Sequence, residues 1–572
     1  MDASKKNIGD IINKYRILEI PFFQRPYVWG EDQWSRLLED LEEVSQSGKP
    51  HFLGSVILKQ LPTESHSGIG DRRLVVDGQQ RLTTLFLFFK ALFFKLDDAD
   101  GFFRDWTTSD GGIPMLHNRL DRIDFERIHG LKDSSEIPDS FDSAVGKAFL
   151  WFSKKIDSSR LNVGAIMSRV QFVGIDLSQE EDEQVIFDTI NSLGIKLTSA
   201  ELLKNYLYRR EDLADYETGW MQVFELDEEL RRAWDNEITA GRAKRSLIEV
   251  YLHSLLQILA EEKGIVGDER LFFMRYDRLF PAYKDLVETN RITIPELRSR
   301  LAEHAPLFRS MVNPDLLEAS LKKDDADSRI VTTLFGCDAT TLIPYLLFIH
   351  INQPDERLRH ELFNVIESYL CRRITCRSSN NSYSTFFYIN LISARILTAN
   401  DFVEYVKTRK DSELAFPSDD ELIDAINEQN LTNKMARSIL YLLESKTRSK
   451  HQSTALHGLT AYSLEHVMPK KWQANWPFEG DEAAQYNRNQ KLRKLGNLTI
   501  LPSKLNTSLS NDSWANKVNG NNKHDGLRKL SGGIELMADF IDRTDWNETV
   551  IDERAEFLAS KMLEAWSIEV DS

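Results

Sequence analysis

The sequence predicts a multidomain, mainly α-helical protein with an α+β domain at its N-terminus and a small strand–strand–helix domain at its C-terminus. A chain of 572 residues is too long for one ordinary hydrophobic core. Apolar residues recur at helical spacing through the middle of the chain, whereas short strand-like runs bounded by turn residues occur towards both ends. We therefore expect three domains, at residues 1–210, 211–425 and 426–572.

In the N-terminal domain, two strands are predicted at HFLGSVILKQ and RLVVDG, joined by the polar loop LPTESHSGIGD. The second strand leads through Asp77 and Gly78 into the apolar run LTTLFLFFKALFF, which Lys90 interrupts. That run is too short to span a bilayer, and we interpret it as a buried helix.

The middle and the end of the chain are predicted to be helical. The segment SLIEVYLHSLLQILAEE has apolar positions at helical spacing, which predicts an amphipathic helix in the central region. The C-terminal domain starts near the polar stretch ESKTRSKHQSTALHG and ends in a helix around DERAEFLASKMLEAW.

Composition indicates a globular cytoplasmic protein without association with a membrane. Hydrophobic residues make up 41% of the chain and charged residues 28%, which argues against a disordered or fibrous protein. The N-terminal segment MDASKKNIGDIINKY has no apolar stretch of the kind found in signal peptides. Cys337, Cys371 and Cys376 give neither a disulfide framework nor a zinc knuckle, and we expect ordinary packing roles for Cys371 and Cys376.

The charge is unevenly distributed along the chain. The formal net charge is −17, yet residues 431–530 contain 16 Lys and Arg against 7 Asp and Glu. A basic segment on an acidic protein is what a localised site for a polyanion would require. A solvated basic face explains the same charges, and the two interpretations are equally supported by charge alone.

Within this basic segment, YSLEHVMPKKW places Glu465 and His466 side by side in a predicted strand that stops at Pro469. The following KLGNLTILPSKLN predicts a glycine turn, a second strand that ends at Pro502, and a helix that carries Asn506 and Asn511. Two strands followed by a helix can gather four polar residues around one metal ion. They are Glu465, His466, Asn497 and Asn506.

These residue types suit phosphodiester cleavage. The reaction needs a base to deprotonate water and a divalent cation to neutralise charge on the phosphate. A carboxylate and an amide oxygen suit Mg²⁺, and an imidazole that titrates near neutral pH can act as the base without binding the metal. The alternative is that the Glu465–His466 pair only decorates the surface.

The first domain contains a second constellation, in PFFQRPYVWGEDQW and DGQQR. The N-terminus of the helix after Gly78 offers free N–H groups, Arg81 offers a guanidinium for phosphate, and Tyr27 or Trp29 can stack on a base. This predicts a nucleotide pocket, although the chain has no GxxxxGK[ST] motif. The alternative, given equal weight, is that Asp77 caps the helix and the aromatic residues fill the core. The predicted pocket residues are Gln24, Arg25, Tyr27, Asp77, Gln79, Gln80 and Arg81.

Both constellations resemble the GmrSD-type modification-dependent (type IV) restriction endonucleases. EHVMP, GNLTIL, KLN and WNETVIDERAEFLASKMLEAW resemble the family's C-terminal ββα-metal (HNH) nuclease domain. FFQRPYVW, VVDGQQRLTTL and IFDTINSLGIKLTSAELLKNYL resemble its GmrS-type N-terminal domain, which is similar to the ParB/sulfiredoxin fold. The resemblance covers most of the chain.

The resemblance implies a role for each residue of the nuclease motif. His466 would be the general base, Glu465 and Asn506 the ligands of Mg²⁺, with Mn²⁺ as a substitute. Asn497 would orient the histidine or its strand, and Lys517 would contact phosphate. In the N-terminal domain the resemblance implies binding and hydrolysis of a nucleoside triphosphate.

Together these features predict an NTP-linked, Mg²⁺-dependent endonuclease that restricts double-stranded phage DNA bearing modified bases. Two alternatives stay open. One is a nicking effector of a phosphorothioate-based defence system, and the other is a nucleotide-controlled DNA-binding regulator with a vestigial nuclease site. Whether the protein forms a homodimer is also open.

Two further residue pairs allow two interpretations each. Thr198 and Glu201 have the spacing of a helix capping box, so the nearby Asn191 and Lys204 are either structural or functional. Arg372 and Arg373, in the family-like segment YLCRRITCRSSNNSY, either contact DNA or pair with acidic neighbours.

Overall fold

The computed structural model describes residues 2–22, 24–62, 71–178, 198–241, 243–408, 413–448, 456–509, 511–522, 524–530 and 534–568. They form two compact units, Met1–Gln222 and Val223–Ser572. The predicted boundary at residue 425 lies inside the second unit. The chain is mostly helical with a mixed sheet in the N-terminal unit, as the sequence predicts.

The N-terminal unit contains a six-stranded mixed sheet in the order β1-β6-β3-β4-β2-β5. The predicted strand pair is confirmed, because β3 and β4 run antiparallel with Leu58 opposite Val75. The neighbours β3 and β6, and β4 and β2, run parallel. The strands are β1 (Asp2–Asn7), β2 (Arg16–Glu19), β3 (His51–Gln60), β4 (Asp71–Asp77), β5 (Met115–Leu116) and β6 (Val170–Leu177).

Helices pack around this sheet, and the predicted apolar helix is at their centre. Helix α3 is buried along nearly its whole length. Lys90 is tolerated in this apolar run because its ammonium donates hydrogen bonds to the carbonyls of His129 (3.0 Å) and Leu131 (2.6 Å). Burial lowers its pKa to about 8. The helices of this unit are α1 (Ile8–Ile11), α2 (Glu31–Ser47), α3 (Gln79–Lys95), α4 (Ala99–Asp105), α5 (Arg119–Gly130), α6 (Ala144–Lys155), α7 (Val163–Arg169), Ser199–Leu207 and Leu213–Thr218.

The capping box before helix Ser199–Leu207 is confirmed. The Thr198 hydroxyl accepts a hydrogen bond from the Glu201 amide, and the Glu201 carboxylate accepts one from the Thr198 amide. Lys204 is buried in this helix. Asn191 lies outside the described residues.

The second unit begins with a helical region. The segment predicted as an amphipathic helix forms Leu247–Glu262, but that helix is buried on almost every side because neighbouring helices surround it. The helices of this region are Glu228–Asp235, Leu247–Glu262, Gly267–Phe273, Leu279–Glu288, Ile294–Met311, Ala326–Gly336, Ile343–Asn352, Glu356–Thr375, Tyr383–Thr385, Ala399–Thr408, Asp419–Glu428 and Asn433–Thr447, with a short hairpin of β7 (Glu237–Ala240) and β8 (Ala243–Ser246).

Arg372 and Arg373 are core residues, so the interpretation that they contact DNA is wrong. Both are buried, and Arg372 pairs with Asp419 (2.8 Å) while donating to backbone carbonyls. Arg373 donates to the hydroxyl of Tyr383 (2.9 Å) and to three backbone carbonyls. Cys371 is buried in the core as expected.

A buried charged network joins the helical region to the last helix of the chain. The Glu367 carboxylate accepts hydrogen bonds from the Arg329 guanidinium (2.6 and 2.9 Å) and from the Trp566 indole (2.8 Å). Burial alone would raise the pKa of Glu367, but Arg329, Lys446 and these hydrogen bonds lower it to about 2.

The C-terminal segment contains the predicted order of two strands and a helix. β9 (Tyr462–His466) and β10 (Leu498–Pro502) are antiparallel, and helix Ser503–Leu509 follows directly. This helix includes Asn506 but ends before Asn511, because Ser513 caps a separate helix. The remaining elements are helices Glu482–Lys491, Trp514–Asn519, Leu527–Leu530, Glu535–Ala538 and Glu548–Ala565, and strands β11 (Gly520–Asn521) and β12 (His524–Asp525).

Over the described ranges, every helix is too short or too polar to cross a lipid bilayer.

Candidate active site

The antiparallel pair of β9 and β10 fixes Glu465 and His466 at the end of a strand. Leu498 lies opposite His466 and Thr499 lies opposite Glu465. Glu465 is buried and forms an ion pair with the ammonium of Lys517, which also donates to the His466 carbonyl at 3.1 Å. Burial raises the pKa of Glu465, and the charge of Lys517 counteracts this effect.

His466 has the protonation state that a general base needs. Its side chain is partly buried, and burial lowers its pKa to about 4, with the charges of Lys470, Lys517 and Arg493 acting in the same direction. The imidazole is therefore neutral at pH 7 and can accept a proton.

Asn497 holds the backbone that follows His466. It is fully buried, and its side-chain oxygen accepts hydrogen bonds from the Met468 amide (2.8 Å) and the Trp546 indole (3.0 Å). Its amide nitrogen donates to the carbonyls of Met468 (2.9 Å) and Leu492 (3.0 Å). With these bonds Asn497 positions the end of β9, and its side-chain amide bonds groups within the protein.

Asn506 is tied to β9 through its amide nitrogen only. That nitrogen donates to the Ser463 hydroxyl (2.7 Å) and the Leu464 carbonyl (3.0 Å). Among the described residues its side-chain oxygen has no hydrogen-bond partner, so this atom remains available as a ligand.

Lys517, for which the resemblance implies a phosphate contact, is fully buried. Its ammonium binds Glu465 and the His466 carbonyl within the protein. A buried ammonium with these partners stabilises the Glu465 carboxylate. The ammonium of Lys517 is not exposed at the surface.

The side-chain oxygens of Glu465 and Asn506 are of the chemical types that Mg²⁺ accepts as ligands. In the described part of the chain, no three His, Cys, Asp or Glu residues are grouped so that they could hold a metal ion. Glu465 and Asn506 supply oxygen ligands only, which suits a cation that retains waters and accepts phosphate oxygens. Mg²⁺ bound to Glu465 would compete with Lys517 for the carboxylate.

The predicted nucleotide-pocket motifs lie together in the N-terminal unit, but their glutamines hold the backbone. Gln24 donates to the carbonyls of Val75 and Val76, at 2.9 and 3.1 Å. Gln79 donates to the Arg25 carbonyl (3.1 Å), and Gln80 bonds the Val28 amide and the Pro26 carbonyl. These side chains fix the segment after Gln24 against β4 and the start of α3.

Tyr27 is a core residue, so the prediction that its ring stacks on a base is wrong. The ring is buried, and its hydroxyl bonds Thr84 (2.7 Å) and the Trp34 indole (2.8 Å). Burial raises its pKa. Arg81 is more accessible and pairs with Asp77 at 3.1 Å, and Asp77 also accepts from Ser55. Arg25 and Arg81 are the cationic side chains of this constellation that stay partly exposed.

Two residues that support the candidate active site did not emerge from the sequence. Arg554 is fully buried and donates to the carbonyls of Leu495 (3.2 Å), Gly496 (2.9 Å) and Leu498 (2.7 Å). Trp546 bonds Asn497. The sequence contains a signal for Arg554, because this charged residue lies between Ile551 and Leu558 on an otherwise apolar face of the helix. A charged residue at such a position indicates a buried side chain with partners inside the protein.

Comparison with known proteins gives two matches to one family. The model of the GmrSD restriction endonuclease N-terminal domain matches residues 8–208, and the model of the C-terminal domain matches residues 416–561. An uncharacterized protein of Methanocaldococcus jannaschii is 24% identical over 266 residues. That alignment covers 38% of this chain and 44% of the relative, so the chain spans less than half the length of that relative.

Proposed function

Because the chain belongs to the GmrSD restriction endonuclease family, we propose that it is a Mg²⁺-dependent endonuclease that restricts foreign double-stranded DNA carrying modified bases. The observation that supports this proposal most directly is the antiparallel pair of β9 and β10 with the helix Ser503–Leu509 that follows it. It holds a neutral His466 beside Glu465 and ties Asn506 to the same strand. We assign this arrangement to the ββα-metal (HNH) class.

In the proposed mechanism His466 accepts a proton from the water that attacks the scissile phosphate. The P–O bond to the leaving sugar oxygen breaks, and that oxygen takes up a proton from solvent. Glu465 and the Asn506 side-chain oxygen would hold Mg²⁺, which would supply positive charge next to the phosphate. Asn497 keeps the His466 carbonyl end of β9 in place through Met468. Mn²⁺ has similar ligand preferences and would substitute for Mg²⁺.

The N-terminal unit would bind and hydrolyse a nucleoside triphosphate where the segment after Gln24 meets α3. The N–H groups at the start of α3 and the guanidinium groups of Arg25 and Arg81 would contact the phosphates. The glutamines would act through the backbone that they hold.

The decisive experiment compares cleavage of modified and unmodified phage DNA by wild-type protein and by His466→Ala. Cleavage is expected to require Mg²⁺ or Mn²⁺, to stop with EDTA, and to disappear in His466→Ala. His457→Ala is the matched control, because His457 is an exposed histidine of the same segment. Cleavage by His466→Ala at the wild-type rate, or cleavage unaffected by EDTA, would overturn the proposal. Supercoiled plasmid with the same modification distinguishes nicking from double-strand cleavage.

A further inference from the structure

Next to the candidate active site are three basic side chains for which the described part of the chain provides no partner. Within the described residues, Lys470, Lys471 and Arg493 are exposed and make no ion pair or side-chain hydrogen bond. In the same segment, Lys491 pairs with Asp552 and Lys561 pairs with Glu564. Lys470, Lys471 and Arg493 differ from these two residues, because no described acidic residue neutralises their charge.

The Asn497 side chain brings two of these cations to the same place from different parts of the chain. It bonds both Met468 and Leu492. Lys470 lies two residues after Met468, and Arg493 directly follows Leu492. Both charges are close enough to the imidazole of His466 to influence it.

We propose that Lys470 and Arg493 bind DNA phosphates beside the bond that is cut, which is the role that the family resemblance implies for Lys517. This inference rests on the proposed function. An exposed, unpaired guanidinium or ammonium can bind a phosphate without breaking an existing ion pair, whereas Lys517 would have to leave Glu465. Double-stranded DNA is the polyanion concerned.

The test measures binding separately from cleavage. In full-length His466→Ala protein, the affinity for a short DNA duplex is measured at a series of salt concentrations. Adding Lys470→Gln or Arg493→Gln is expected to weaken binding and to reduce the slope of log K against log salt concentration by about 0.9 for each phosphate that is no longer neutralised. Adding Lys491→Gln, which removes the same charge from an ion-paired residue two positions before Arg493, is expected to leave the slope unchanged. Circular dichroism checks that each variant is folded.

Three results would overturn the inference. They are a slope that neither Lys470→Gln nor Arg493→Gln changes, an equal effect of Lys491→Gln, and an equal loss of affinity for single-stranded RNA. Each of these can occur while wild-type protein still cleaves DNA. Conversely, a changed slope in a protein that never cleaves DNA would support the phosphate contacts and refute the endonuclease. The two proposals therefore fail independently.

Discussion

The buried ammonium of Lys517 stabilises the Glu465 carboxylate of the candidate active site. Replacing it by Met would leave the Glu465 carboxylate buried without its partner, so we expect a loss of about 3–5 kcal/mol in the free energy of unfolding. Urea denaturation measures this loss. Adding Glu465→Gln to the same protein removes the stranded charge and is expected to restore part of the stability. Unchanged stability with weakened DNA binding would instead return Lys517 to the phosphate role.

The low pKa of His466 predicts an unusual pH dependence of cleavage. A general base acts in its neutral form, so a pKa of about 4 predicts a cleavage rate that is nearly constant from about pH 8 to about pH 5 and falls only at more acid pH. Lys470→Gln removes a nearby positive charge. It is expected to raise the pKa and to move the fall in rate to higher pH.

The measurement is the single-turnover rate of DNA cleavage at saturating Mg²⁺ as a function of pH. Lys491→Gln serves as the control, because Lys491 is ion-paired with Asp552, whereas Lys470 is among the charges that lower the His466 pKa. A fall in rate at the same pH in both variants would contradict the assignment of His466 as the titrating base.

At the scale of single residues, local pattern predicted secondary structure better than burial. Glu465 and His466 lie in the short strand that the sequence predicts. Tyr27 was a candidate for stacking on a base, with packing in the core given equal weight, and its hydroxyl bonds Thr84, which lies 57 residues away in the sequence. The same limit applies to Lys517, whose partner lies 52 residues away.

The contact between Gly496 and helix Glu548–Ala565 sets the position of the turn that carries Asn497. A Cβ atom at Gly496 would lie 2.1 Å from the Ile551 carbonyl oxygen, so Gly496→Ala must push the turn away from the helix. We expect a loss of about 1–3 kcal/mol in the free energy of unfolding, measured by urea denaturation. Gly130→Ala is the control, because a Cβ there meets no atom within 4 Å. Equal stability of both variants would show that the turn adapts freely.

Elements with a clear local pattern were predicted well. The alternating and apolar runs of β3, β4 and α3 were sufficient, because each run ends at turn residues. The burial of helix Leu247–Glu262 was missed. Its sequence has a few polar residues that suggest an exposed face, and those residues are instead satisfied by neighbouring helices, as when Gln257 donates to the Phe273 carbonyl.

For the whole molecule, the proposed function predicts that nucleotide chemistry and DNA cleavage are linked. Arg81→Ala is expected to reduce NTP hydrolysis and, if nucleotide licenses the nuclease, to reduce cleavage although His466 is unchanged. Such linkage requires two states of the protein that bind nucleotide with different affinity. Phosphate release and DNA cleavage are measured on the same variant at matched salt.

Arg122→Ala is the control for Arg81→Ala, because Arg122 is an exposed arginine of the same unit that pairs with Glu126. Faster cleavage with reduced hydrolysis would show that nucleotide restrains the nuclease. Wild-type values in both assays would show that Arg81 is only structural and that the nucleotide binds elsewhere.

The charged network around Glu367 limits where the C-terminal segment can be cut when it is grafted into a related protein. A graft cut at the limits of the matched C-terminal model, residues 416–561, would omit Trp566 and leave Arg329 and Glu367 in the donor. Lys446 would then enter a foreign host without the carboxylate that faces it. A chimera that keeps these charges matched must include the chain from before Arg329 to beyond Trp566, all of which lies in the second unit, Val223–Ser572.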